Sequence, residues 1–226
     1  MKNTVSVTFM LTGILFTACL IIANIIAVKI VEVGPLALPA SILIFPVTYI
    51  LNDVIAEVWG FRKARLIIWS GLAMNAVMAL FFSLSIALPE ASFWKDQTPY
   101  AHILGSTPRL VLASFAAYLT GSFLNAFVMS RMKVFHKGKY FGVRAVISTI
   151  VGETADSFIF ITVAFAGIFP MHDLLLMIAT QVLLKTLYEV IALPVTSRIV
   201  KWFKQIEDTD VFDTSVSYNP FKVKEV

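Results

Sequence analysis

Six ionisable residues fall inside long apolar stretches of this chain: Asp53, Glu57, Glu153, Asp156, Lys185 and Glu189. In a bilayer each would cost about 2.5–3.5 kcal/mol at mid-depth, so each needs a partner or a task. Their spacing assigns them to faces, because residues three or four apart share one side of a helix. Asp53 and Glu57 are one such pair and Glu153 and Asp156 another, while Gln181, Lys185 and Glu189 form a row at four-residue intervals. Three helices would each carry one polar stripe. Five carboxyls then face one lysine, an imbalance that ion pairing alone does not explain. Carboxylates left over need water, a proton or a ligand. A site for a polar solute between the second, fifth and sixth helices accounts for the set, and interhelical pairing of Lys185 with Asp156 or Glu153 is the alternative.

The elements that position these residues follow from composition. The chain has 226 residues, 58% hydrophobic and only 14% charged, with a mean hydropathy of +0.84. A water-soluble domain is nearer half apolar and a quarter charged. The reading is therefore an all-α polytopic membrane protein. Spanning the hydrocarbon core takes roughly 20 apolar residues in a helix. Six such runs are expected, in one bundle: 7–28, 36–59, 66–88, 109–130, 145–169 and 173–199. The first is read as a retained helix rather than a cleaved signal, because its apolar run is too long and no small-residue cleavage site follows. Residues 1–200 form the expected membrane domain, and 201–226 a mobile polar tail.

Basic residues set the orientation. Lys2, the cluster Arg62, Lys63 and Arg65, the loop from Arg131 to Arg144 and the tail lysines fall on one side, against Lys29, Lys95 and Arg109 on the other. Both termini are expected to be cytoplasmic, in a cell inner membrane. The net charge of +4 reports this topology and not a nucleic-acid surface, since the basic residues sit at the ends of apolar runs.

At about 1.5 Å per residue, Glu153 and Asp156 lie roughly 14–18 Å beyond Arg144, and Lys185 roughly 18 Å beyond Asp173, so acid and base meet near one level. Pro46 and Pro194 interrupt backbone hydrogen bonding beside the stripes. Asn52, Asn75 and Asn125 add amides, and Tyr49 is a candidate ring against a ligand. Gly152 permits close helix approach. Ala23 and Ala27 form a small-residue pair suited to packing against another helix or a partner. His102, His136 and His172 are read as loop residues with no second ligand at metal spacing, so no metal or other cofactor is expected. Phosphate-loop, GxSxG and HExxH patterns do not occur in the chain, and an enzyme is not expected.

The run Phe45-Pro46-Val47-Thr48-Tyr49-Ile50-Leu51-Asn52-Asp53, followed by Glu57-Val58-Trp59-Gly60 and Ala64-Arg65, resembles a signature of the queuosine precursor transporter family, also grouped as vitamin uptake transporters. The stretch 148–158, with Val151-Gly152-Glu153 and Asp156-Ser157, is similar to its second signature, and Lys185 with Leu193-Pro194 to its end. The resemblance covers roughly residues 10–200. It implies a six-helix importer of 7-deazaguanines, such as 7-cyano-7-deazaguanine, salvaged for the queuosine modification of tRNA. The chemistry of the residues agrees. A guanine-like edge offers N1–H and an amine side by side to a carboxylate, Asp156 or Glu153, while its O6 requires a donor such as Lys185. Asn52 and Asp53 would complete the polar wall, with Tyr49, Glu57, Gln181 and Glu189 as further candidates. Expected partners are the deazapurine and the lipid bilayer, and not nucleic acid; a homodimer and an energising partner are both compatible with the sequence. The alternatives are a proton-coupled or ion-conducting protein and a substrate-capturing subunit of a larger importer.

Overall fold

The computed structural model describes residues 5–33, 36–105, 108–168 and 170–222. Helix α1 spans Val7–Ile26, opened by Ser6, whose hydroxyl accepts from the Phe9 amide at 3.2 Å. An antiparallel hairpin follows, β1 (Ile30–Val33) with β2 (Leu36–Pro39), Ile30 opposite Pro39. A 3-10 turn, Ala40–Leu43, leads into α2 (Phe45–Ala87). Then come a short α3 (Gln97–Leu104), α4 (Pro108–Phe135), α5 (Phe141–Phe165) and α6 (Met171–Glu207). The stretches built on α1, α2, α4, α5 and α6 are five helices long and apolar enough to cross a membrane. The chain is thus a mainly helical, multi-pass membrane protein.

Helix α2 is not one rod. Gly60 sits at φ 81°, ψ 173°, outside the helical region, and divides it into 45–59 and 61–87. Landmarks along α1 give the direction of each part. The Ala40 amide bonds to the Lys29 carbonyl at 2.8 Å, near the C-terminal end of α1. Trp59 meets Phe9 near its N-terminal end, ring centroids 5.4 Å apart. Asn75 accepts from Asn24 at 2.6 Å, back near the C-terminal end. The chain therefore reverses at Gly60, a conformation that a residue without Cβ adopts readily.

Several boundaries differ from the sequence expectation. The second helix starts at Phe45 rather than at residue 36, because 36–43 pair as a strand and then coil into the 3-10 turn. Pro46 consequently stands in the first turn of α2, where a missing amide costs nothing, and does not kink it. Pro194 does lie inside α6. The α4–α5 loop is only a short turn with Lys137, Gly138 and Tyr140 at positive φ. Lys133 and Arg144 thus belong to helices and are buried. His102 lies on α3 and His172 in the first turn of α6, not in loops. The Gly34-Pro35 turn and Phe169, the expected end of the fifth span, lie outside the described residues.

The tail is not free. Beyond Glu207 the chain leaves helix yet packs back on the Gly60 corner. The Val211 amide bonds to the Val58 carbonyl at 3.3 Å, Asp213 Oδ2 accepts from the Phe61 amide at 2.8 Å, and Arg65 donates to the carbonyls of Ser217 and Asn219 at 3.1 and 2.9 Å. Tyr218 packs on Phe61 and on Phe127, centroids 5.0 Å apart in both cases. The expectation of mobility counted the tail's Asp, Ser and Lys and overlooked Val211, Phe212, Tyr218 and Phe221 interleaved with them.

Many polar side chains are buried beside the apolar core, while large apolar side chains cover the exterior. Asp53, Glu57, Arg65, Asn125, Arg144 and Glu153 are at most 1% exposed, whereas Leu183 and Ile191 on α6 are 68% and 71% exposed. A bilayer around the molecule reconciles the two, since apolar surface turned outward meets lipid and polar groups satisfy one another within. Ala23 is buried within the chain, so this half of the small-residue pair serves internal packing.

Candidate functional site

The site is built around α5. Gly121 on α4 and Gly152 on α5 set its geometry. A Cβ on Gly121 would fall 2.9 Å from the Gly152 carbonyl oxygen, 2.8 Å from Asp156 Cβ and 2.5 Å from the Tyr49 hydroxyl. The two backbones touch, as expected for Gly152, and the first part of α2 is drawn against both. Tyr49 and Asp156 are thereby neighbours despite their separation in sequence.

Lys185 on α6 reaches the centre of this contact. Its ammonium donates to Glu153 Oε2 at 2.6 Å and to Asp156 Oδ2 at 3.3 Å, and lies 4.4 Å from the centroid of the Phe45 ring. Phe45 in turn packs on Tyr49, centroids 5.9 Å apart. The cation therefore has two carboxylates and one aromatic face, a desolvated arrangement in which charge-assisted hydrogen bonds are strong.

A second polar group lies one turn deeper along α2. Ser148 donates to Asp53 Oδ1 and Oδ2 at 3.2 and 3.3 Å, and the Asp53 carboxyl also faces Glu189. Thr149 donates to Glu189 Oε2 at 2.8 Å. Asn52 donates to the Ser122 carbonyl at 3.0 Å and to Asn125 Oδ1 at 2.6 Å, which brings α4 into the site. Gln181 is half-buried a turn away from Lys185 on α6.

Glu57 belongs elsewhere. Arg144 grips it through both terminal nitrogens, Nη2 at 3.1 Å from Oε1, and Lys204 Nζ lies 2.6 Å from the same oxygen. Lys133 donates to the Glu57 carbonyl and to Asp210, and Lys204 to Asp210 at 2.8 Å. This cluster joins α2, α4, α5, α6 and the C-terminal segment at the Gly60 end of the molecule. Three cations surround Glu57, so it is removed from the imbalance inferred from sequence. Four carboxyls, Asp53, Glu153, Asp156 and Glu189, remain with Lys185.

The buried polar atoms are incompletely matched. Tyr49 Oη, Asn52 Oδ1, Glu153 Oε1 and Ser157 Oγ have no hydrogen-bond partner among the described residues. A buried polar atom left so costs about 1–3 kcal/mol, and each such atom in a native fold calls for an explanation.

Sequence reasoning missed Phe45, Ser122, Ser148 and Thr149 in the inner groups, and Lys133, Arg144 and Lys204 as partners of Glu57. A signal existed for two of them. Arg144, Ser148, Gly152 and Asp156 recur every four residues, extending the α5 stripe two turns toward its N-terminus. Phe45 and the Ser122 carbonyl had none, because their roles arise from packing between helices.

A bundle whose apolar exterior encloses stripes of buried acids around one lysine defines a multi-pass membrane protein with a polar interior. Residues 39–199 match the family described as "Putative vitamin uptake transporter", and the chain belongs to that family. It is 29% identical over 173 residues to a "Probable queuosine precursor transporter" of Bacillus subtilis, covering 76% of each chain. To a protein of the same description from Haemophilus influenzae it is 28% identical over 123 residues, 54% of this chain and 50% of that one. No solved structure matches the chain.

Proposed function

We propose that the chain imports a queuosine precursor, a 7-deazaguanine such as 7-cyano-7-deazaguanine, and holds the base between the first part of α2, α5 and α6. The observation that carries this reading is the Lys185–Glu153–Asp156 group, with Glu153 Oε1, Tyr49 Oη and Asn52 Oδ1 left without partners beside it. A deazaguanine edge supplies adjacent N–H donors for a carboxylate, here Glu153 or Asp156, and an O6 acceptor for Lys185. The ring would lie against the Phe45 and Tyr49 faces. Asp53, Asn52 and Glu189 complete the polar wall, with Gln181 at its edge, and Glu57 braces the wall from one turn below. The two related transporters named for queuosine precursors support the substrate class.

In this reading residues 1–200 are the transport domain and cross the bilayer six times, the parts of α2 before and after Gly60 crossing separately. The reversal at Gly60 and the basic residues gathered at that end support six crossings with both termini cytoplasmic. The protein acts as a carrier in the cell inner membrane and not as an enzyme.

Uptake of labelled 7-cyano-7-deazaguanine by cells carrying the parent chain, Asp156→Asn or Lys185→Met tests the assignment. The parent is expected to accumulate the base and both variants to lose most of that uptake. No accumulation by the parent would remove the function, and parent-level uptake in both variants would remove these residues from the site. A thermal shift of the purified protein across purines and 7-deazapurines gives the binding side of the same test, because a ligand of the native state raises its apparent stability.

The contact between Asp53 and Glu189 favours one further reading, in which carboxyls pass protons alongside or in place of the base. Currents across a planar bilayer in the absence of any base would distinguish it.

A further inference from the structure

We propose that the C-terminal segment 208–222 is a strap that bolts the Gly60 end of the bundle shut, and that it must release before the interior can open toward that side. The inference rests on the transport reading for its purpose but on separate residues for its geometry.

The bolt has two layers. The inner one is the Glu57 cluster, in which Arg144 of α5, Lys133 of α4 and Lys204 of α6 converge on one carboxylate of α2. It lies one helical turn from the polar site along two helices at once: Glu57 is four residues from Asp53, and Arg144 is four from Ser148, which holds Asp53. A solute moving from the site toward this end meets the cluster first.

The outer layer is the strap. Asp210 takes both Lys133 and Lys204, tying them from the aqueous side, and its side chain is 45% exposed. Asp213 accepts from the amide that opens the second part of α2 and from Ser130 of α4 at 2.8 and 2.6 Å. Trp69 donates to the Pro220 carbonyl at 2.8 Å. The strap thus spans α2, α4 and α6 beyond residue 199, where the family match ends. It has no helix or strand of its own, and an ion pair half open to water is weak, so the strap is the layer that gives way first, and its release withdraws Asp210 from Lys133 and Lys204 and lets the inner cluster part.

Met129 supplies the reporter. It is fully buried on the site side of the Glu57 cluster, its sulfur 4.0 Å from both Arg144 Nη1 and Ser148 Oγ, so it becomes accessible from the tail side only when both layers part. The full chain carrying Met129→Cys is reconstituted and treated from the tail side with a membrane-impermeant maleimide, with no substrate present. Native Cys19, buried on α1, is the internal control and is resolved by mass spectrometry. With Asp210→Asn and Asp213→Asn together, labelling at 129 is expected to rise at least about tenfold, the worth of one of the four charge-assisted contacts that these two carboxylates make. Tyr218→Ala, which loosens the strap without altering charge, is expected to move it the same way. Parent-level labelling in both variants, or a rise matched at Cys19, overturns the proposal. Because no ligand is used, this result is independent of whether the chain binds a deazaguanine.

Discussion

Asp53 and Glu57 stand one turn apart on the same face of α2 and enter different charge environments. Asp53 meets the Ser148 hydroxyl and the Glu189 carboxyl, while Glu57 is enclosed by Arg144, Lys204 and Lys133. Two acids one turn apart can therefore divide the labour of a membrane bundle, one set against a hydroxyl and a second carboxyl and the other holding helices together.

That division predicts different phenotypes. Glu57→Gln takes from the buried Arg144 its carboxylate partner and leaves Lys133 and Lys204 with Asp210 alone, a change worth about 3–5 kcal/mol when a buried pair is broken. The unfolding midpoint in detergent should fall sharply. The ligand-induced rise in that midpoint should persist, since Glu57 does not touch the inner group. Loss of the ligand-induced rise in protein that is still folded would place Glu57 back in the site.

Tyr49→Phe should show the reverse pattern. The hydroxyl is buried without a partner, so its removal should leave the stability of the free protein unchanged or raise it by up to about 1–3 kcal/mol. Affinity for the 7-deazaguanine should drop about tenfold, the worth of one hydrogen bond. Isothermal titration alongside thermal unfolding separates the two quantities. Unchanged affinity would show that the hydroxyl does not engage the base.

Gly121→Ala tests the helix contact that shapes the site. The added methyl would stand 2.9 Å from the Gly152 carbonyl oxygen and 2.5 Å from the Tyr49 hydroxyl, closer than real contacts allow. Helices α4 and α5 must part, at about 1–3 kcal/mol for overpacking. Thermal unfolding should register that loss, with weaker ligand binding because Tyr49 and Asp156 are displaced together. A neutral outcome in both measurements would mean that the contact is softer than described.

Acid should loosen the strap. Burial by itself would push the Asp210 carboxyl up, but hydrogen bonds from Lys133 and Lys204 hold it below the ordinary carboxylate value. A lowered pKa contributes stability that is complete above the unfolded value, about 4, and disappears as pH falls through the folded one. Maleimide labelling of the Met129→Cys chain, corrected for the intrinsic pH dependence of the thiol, should therefore rise below about pH 4. Asp210→Asn should flatten that rise. A profile identical in the two chains would detach Asp210 from the opening.

Much of this architecture is legible in the residues because apolar runs long enough to span a bilayer have few alternatives, and acids inside them are conspicuous. The stripes on α2, α5 and α6 follow from three- and four-residue spacing, and Lys185 meets Glu153 and Asp156 as the matching depths suggested. The role of Glu57 was not legible, because its partners Lys133 and Arg144 sit at the ends of apolar runs and read as loop charges. Helices extended by a turn or more carry them inward instead. The hairpin at 30–39 and the docked tail were missed for a related reason. Short alternating segments have little pattern of their own, and their placement depends on surfaces contributed by distant helices.

The turn at Gly60 bears on how the protein is made. With one residue joining 45–59 to 61–87, no loop is long enough to let the first rod settle while the ribosome completes the second. In the six-crossing reading proposed above, the two would enter the lipid phase as a joined pair, with Arg62 and Lys63 keeping its tip on the basic side.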